Sequence, residues 1–213
     1  VSTHETSDLQ AAVAAEFTWL ADVLDRLVDG AWDTPSLCAG WRVREVVAHM
    51  TMAVRYAPPE FYAELEACKG DFTTLSNRVA ARDAALPTTT LVANLRDDAM
   101  HRWIPPGGGL IGALSHVVIH GLDITVPLGV ARPAPDETVL AVLDHLTLGG
   151  GHANFGFELD GLCLQATDVN WRFGSGTPLN GTAEDLALVI SGRTFAPQEN
   201  SGGRVESGVP APS

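Results

Sequence analysis

Along the first 126 positions, apolar residues recur at intervals of three and four, which places them on one face of a helix. From Ser7 to Val28 the stripe is Leu9, Val13, Phe17, Leu20, Val23, Leu24 and Leu27, and Gly30 follows as a stop. Asp33 to Gly40, with Pro35 and Cys38, reads as a loop. The helical pattern resumes from Trp41 to Ala57 through Val43, Val46, Val47, Met50 and Val54, and Pro58-Pro59 ends it. Phe61 to Lys69, Thr73 to Leu86 and Thr88 to Trp103 are further helical stretches, the last two divided by Pro87. A break at Pro105-Pro106-Gly107-Gly108-Gly109 precedes one more helix, reaching to Val126.

After Pro127 the pattern changes. Pro133 and Pro135 mark a linker, and Glu137 to Leu148 is helical in pattern. Leu159 to Thr167 and Asn170 to Phe173 alternate like short strands. Thr182 to Gly192 predicts a helix opened by Thr182 with Asp185 three residues on, a variant of the capping box. Pro197 to Ser213 is rich in Gly, Ser and Pro, too poor in apolar residues to offset its ordering entropy, and is expected to be disordered. The expected architecture is mainly α: a four-helix bundle over residues 1–130, a small C-terminal α/β domain over 131–196, and a tail over 197–213.

Composition narrows the classes of partner. The chain has 213 residues, 46% hydrophobic and 18% charged, enough for a substantial core. A net charge of -13 argues against nucleic acid and anionic membrane surfaces, which select clustered Lys and Arg. No apolar run approaches the roughly 18 residues of a membrane helix, and Val1 to Gln10 lacks a basic and apolar leader pattern, so a cytoplasmic protein is expected. Cys38, Cys68 and Cys163 are odd in number and widely spaced, which predicts free buried thiols.

The chemistry sits in Ser115-His116-Val117-Val118-Ile119-His120-Gly121-Leu122-Asp123. On a helix the two imidazoles stack on one face, one turn apart, with Asp123 a further turn along. Gly109 and Ala113 share that face and are expected to leave room for a substrate. With His49 from the second helix, such a pair suits one divalent cation: zinc, nickel, iron or copper. Asp123 would orient a ligand imidazole or serve as a weaker fourth ligand. Buried imidazoles also serve as plain core residues, so the pair alone does not decide the matter. His4 falls in a frayed terminus, His101 is expected to face solvent, and Gly149-Gly150-Gly151 separates His145 from His152. Neither triple-glycine run has the Lys or preceding strand of a phosphate loop, and no Gly-x-Ser-x-Gly elbow is present.

Trp32-Asp33-Thr34-Pro35-Ser36-Leu37-Cys38-Ala39-Gly40-Trp41-Arg42-Val43-Arg44-Glu45-Val46-Val47-Ala48-His49, followed by the His116 to Asp123 stretch, resembles the mycothiol-dependent maleylpyruvate isomerase family within the DinB-like superfamily. Leu164 to Trp171, Gly181 to Leu186 and Gly192-Arg193 resemble the small C-terminal domain of many members. The resemblance implies a DinB-like four-helix bundle holding a divalent metal, usually Zn2+, through His49, His116 and His120, with mycothiol as co-substrate. The isomerase pattern is acidic at the position matching His116, so this site is one charge less negative, and isomerase identity does not follow from the resemblance.

What the resemblance then implies is a metal- and thiol-dependent enzyme acting on a small electrophile, by cis-trans isomerisation or by S-transfer. A carboxylate substrate would want an Arg fork, for which Arg55, Arg78, Arg82 and Arg193 are available, Arg193 being placed after the last helix to face the bundle. Small-molecule substrate and thiol are the expected partners of a monomer or homodimer. Two other functions remain open at this stage: a non-catalytic small-ligand binder, and a thiol-independent, metal-assisted hydrolase.

Overall fold

A computed structural model describes residues 3–132 and 136–193. The chain divides into two compact units, split between Ala134 and Pro135. The linker expected at Pro133 and Pro135 and the tail expected from Pro197 lie outside the described residues.

In the first unit, α1 (Thr3–Leu24) buries Val13, Phe17, Leu20 and Leu24, a stripe at spacings of four, three and four. It ends before Val28. Arg26 and Leu27 bond back three residues to Val23 and Leu24, and a 3-10 turn at Asp29–Asp33 then drives Trp32 into the core. The second expected helix is broken. α2 (Val43–Met50) stops at Thr51, and α3 (Met52–Arg55) follows as a single turn. α4 (Pro58–Ala67) and α5 (Phe72–Asp83) are the shorter insertions. Thr88 to Trp103 likewise divides into α6 (Thr88–Leu95) and α7 (Asp98–His101), because the Asp97 carboxylate accepts from Ala99 N at 2.8 Å and caps a new turn. α8 (Gly109–Thr125) closes the bundle by packing on α1 and α2, while α1 and α2 both pack on α6. Among the described residues no helix is long and apolar enough to cross a membrane.

The second unit opens with α9 (Asp136–His145). A wider turn at Leu146–Gly150, with Gly149 at φ 113°, separates α9 from α10 (Gly151–Phe155). The expected break between His145 and His152 is therefore present. Three strands follow, β1 (Leu162–Ala166), β2 (Arg172–Gly174) and β3 (Thr177–Gly181), in spatial order β2-β1-β3. β1 pairs antiparallel with β2, Leu164 facing Phe173, and parallel with β3, Leu164 facing Leu179. To reach the far side of β1 the chain turns tightly at Gly174-Ser175-Gly176. Gly176 has φ 136°, and any Cβ there would overlap the Gly161 carbonyl, so only glycine fits.

α11 (Ala183–Ile190) packs on α9 and the sheet. The capping box read from the sequence forms: Asp185 N donates to Thr182 Oγ1 and Thr182 N to Asp185 Oδ2, each at 3.1 Å. Thr182→Ala should lower the stability of this unit by about 1 kcal/mol. Thermal melts of the two proteins that superimpose would remove the cap from the account of α11.

Candidate metal centre

α2 begins where it does because Arg42 and Glu45 lock its first turn. Arg42 N and Nε donate to Glu45 Oε2 at 2.8 and 3.0 Å, and Arg42 Nη1 reaches Asp33 at 2.8 Å. Burial pushes the Glu45 carboxyl up, but the Arg42 hydrogen bonds outweigh it and hold the pKa below the ordinary carboxylate value. One turn later α2 presents His49, which is buried.

α8 brings His116 and His120 to the same place, both half-buried. Ring centroids are 4.8 Å apart for His116 and His120, 5.0 Å for His49 and His120, and 5.6 Å for His49 and His116. One nitrogen from each of the three lies within 4.8 Å of the others. Zn–N bonds of about 2.0–2.1 Å put tetrahedral donors roughly 3.4 Å apart, a contraction within reach of small ring rotations. The donor set fits a borderline divalent cation such as zinc. Trp41 stands 5.1 Å from His49 and Trp103 4.9 Å from His116, walling the cluster with indole rings. Phe72, 6.3 Å from His49, is half exposed at its edge.

Asp123 is wholly buried and Oδ2 lies 2.9 Å from His120 Nδ1. The imidazole therefore presents Nε2 elsewhere, as a ligand histidine held by a carboxylate does. Cys38 was expected only as a buried free thiol. It is in no disulfide and is half-buried, and its Sγ lies 3.0 Å from Asp123 Oδ2 and 3.8 Å from His120 Nδ1. Spacing carries no signal for a contact 85 residues apart in the chain. The loop that bears Cys38 is tied to itself by Ser36 N to Trp41 O (2.9 Å) and Cys38 N to Ser36 Oγ (3.1 Å), and to α8 by Leu37 N to Asp123 O (3.1 Å).

Other expectations need correction. Ala113, expected on the same face as the imidazoles, is fully buried in the core. His101 does not face solvent: its ring lies 6.3 Å from Phe17 and its Nε2 is buried. Three of the four arginines proposed as a carboxylate fork already have anionic partners. Arg55 and Arg82 each bond Asp83 at 3.0 Å, and Arg82 and Arg78 both pair with Glu64. Arg193 donates to Ser191 O at 2.6 Å and lies over the Phe155 ring at 5.3 Å, both partners in its own unit.

Residues 13–103 match the family model described as the mycothiol maleylpyruvate isomerase N-terminal domain. The matched segment holds Cys38 and His49 and ends before α8. A crystal structure of the mycothiol-dependent maleylpyruvate isomerase is similar in fold, with a TM-score of 0.56 at 16% identity over 91% of this chain and 90% of that one. A histidine-to-alanine mutant of that enzyme gives 0.54 at 14% identity over the same shares. No curated protein matches the sequence with significance.

Proposed function

We propose that this chain, whose residues 13–103 match the mycothiol maleylpyruvate isomerase N-terminal domain, is a divalent-metal enzyme that uses a low-molecular-weight thiol on a small electrophile. The chemistry in view is isomerase-like cis-trans rearrangement or S-transfer. The observation that carries this reading is the meeting of His49, His116 and His120 from two separate helices inside an indole wall.

His49, His116 and His120 would hold the cation through neutral imidazole nitrogens. When bound, a doubly charged zinc ion favours a thiolate over a thiol, whose ordinary pKa is about 8.5. Asp123 accepts the Nδ1 proton of His120 and so keeps the Nε2 lone pair directed away from itself. Trp41 and Trp103 place apolar ring surface beside the cluster, which strengthens any charge interaction there. Asp123 is thus a positioning residue.

Elemental analysis of the purified full chain, followed by turnover of maleylpyruvate with and without mycothiol, tests the proposal. About one zinc per chain and turnover that requires the thiol are expected. Metal-free protein, or turnover indifferent to mycothiol, would sink the reading; the second result would point to metal-assisted hydrolysis instead.

A further inference from the structure

Two donors converge on one oxygen of a carboxylate that has no exposed surface. Asp123 Oδ2 is 2.9 Å from His120 Nδ1 and 3.0 Å from Cys38 Sγ. The Cys38 thiol donates its S–H to that oxygen, and the carboxylate accepts from both groups. Cys38 also lies 3.8 Å from His120 Nδ1, so thiol, carboxylate and imidazole form one compact chain.

On this geometry, and resting on the metal reading above, we infer that Cys38 is a positioning residue for the site. Its S–H holds Asp123 Oδ2 where that oxygen takes the Nδ1 proton of His120, which selects the imidazole tautomer whose Nε2 lone pair is available to a cation. The loop does not depend on the thiol for its place. Leu37 N to Asp123 O and Cys38 N to Ser36 Oγ are made by groups that survive replacement of the side chain. Cys38→Ala therefore removes the S–H and leaves the loop docked, and Cys38→Ser restores a donor of similar reach.

Two measurements on the full chain decide the matter. The first is the side-chain 15N spectrum of His120 in metal-free protein, which reports the tautomer directly. Wild type and Cys38→Ser should show the proton on Nδ1, and Cys38→Ala should shift population toward the proton on Nε2. The second is zinc affinity by chelator competition. Cys38→Ala should weaken it about tenfold, at the lower end of the roughly 10–100-fold range of such outer partners, with Cys38→Ser near wild type. In an Asp123→Ala background the further change Cys38→Ala should have no effect, because the thiol acts through that carboxylate. Cys38→Ala matching wild type in both measurements overturns the inference, as does Cys38→Ser failing like Cys38→Ala. A second zinc per chain that disappears with Cys38→Ala overturns it too, since the thiol would then be a ligand. Wild type that takes up no zinc defeats the functional proposal, while the metal-free tautomer spectra still decide the role of Cys38.

Discussion

His116→Ala should abolish zinc retention, taking the purified protein from about one metal per chain to almost none. The His116 ring stands 4.8 Å from that of His120 and 5.6 Å from that of His49, so its loss leaves two imidazoles to hold the ion. Removing an outer partner weakens such a site by roughly 10–100-fold, and losing a direct ligand should exceed the upper figure. The fold should survive. His116 is only half-buried, and alanine is the stronger helix former by several tenths of a kcal/mol. His116→Glu should retain zinc, since it restores a ligand of the kind expected at this position in the isomerase pattern and adds one negative charge. His152→Ala is a suitable control, since His152 is exposed and pairs with Glu158 at 2.9 Å in the other unit. Elemental analysis and competition titration, with circular dichroism to verify folding, provide the readout. Full zinc affinity in His116→Ala would remove this residue from the site.

Asp83→Ala should destabilise the first unit by about 3–5 kcal/mol, the usual effect of removing one partner of a buried ion pair. The Asp83 side chain is 10% exposed and that of Arg55 is 14% exposed. Asp83 Oδ2 accepts from Arg55 Nε at 3.0 Å and from Tyr56 OH at 2.6 Å, and Oδ1 accepts from Arg82 Nε at 3.0 Å. Arg55 also donates to Thr51 Oγ1 at 2.6 Å and to the Ala48 carbonyl. The network thereby pins the end of α2 immediately after His49. Burial raises the Asp83 pKa, but the hydrogen bonds from Tyr56, Arg82 and Arg55 outweigh it and the net shift is downward. A carboxyl depressed in the folded state contributes its stability above its unfolded pKa, near 3.9, and loses it as pH falls through the folded value. The gap between wild type and Asp83→Asn should therefore be full at pH 7 and narrow progressively below about pH 5. Urea titrations at pH 7 and pH 3 measure both effects, and a gap that stays constant between them contradicts the assignment.

The α8 histidines were legible because four residues on a helix fix a shared face whatever the rest of the chain does. Asp123 was legible for the same reason, and its Oδ2 meets His120 Nδ1 as the orienting role requires. His49 lies on another helix; its residue type made it a candidate third ligand, but no spacing along the chain tied it to α8. Cys38 was missed because its partner is distant in sequence and its own motif resembles an ordinary turn. Periodicity also overran two helices. Val54 continues the apolar stripe of α2, yet Thr51 adopts φ -101° and ψ 18°, while its hydroxyl bonds the Val47 carbonyl at 2.8 Å. The third strand escaped notice because Thr-Pro-Leu-Asn-Gly has little strand propensity; pairing with β1 makes it a strand.

Both outer members of the β2-β1-β3 sheet make poor templates for an incoming chain. β2 is three residues long, and β3 carries Pro178, which has no amide proton to offer. Edge-to-edge aggregation through this sheet is disfavoured by its own outer strands.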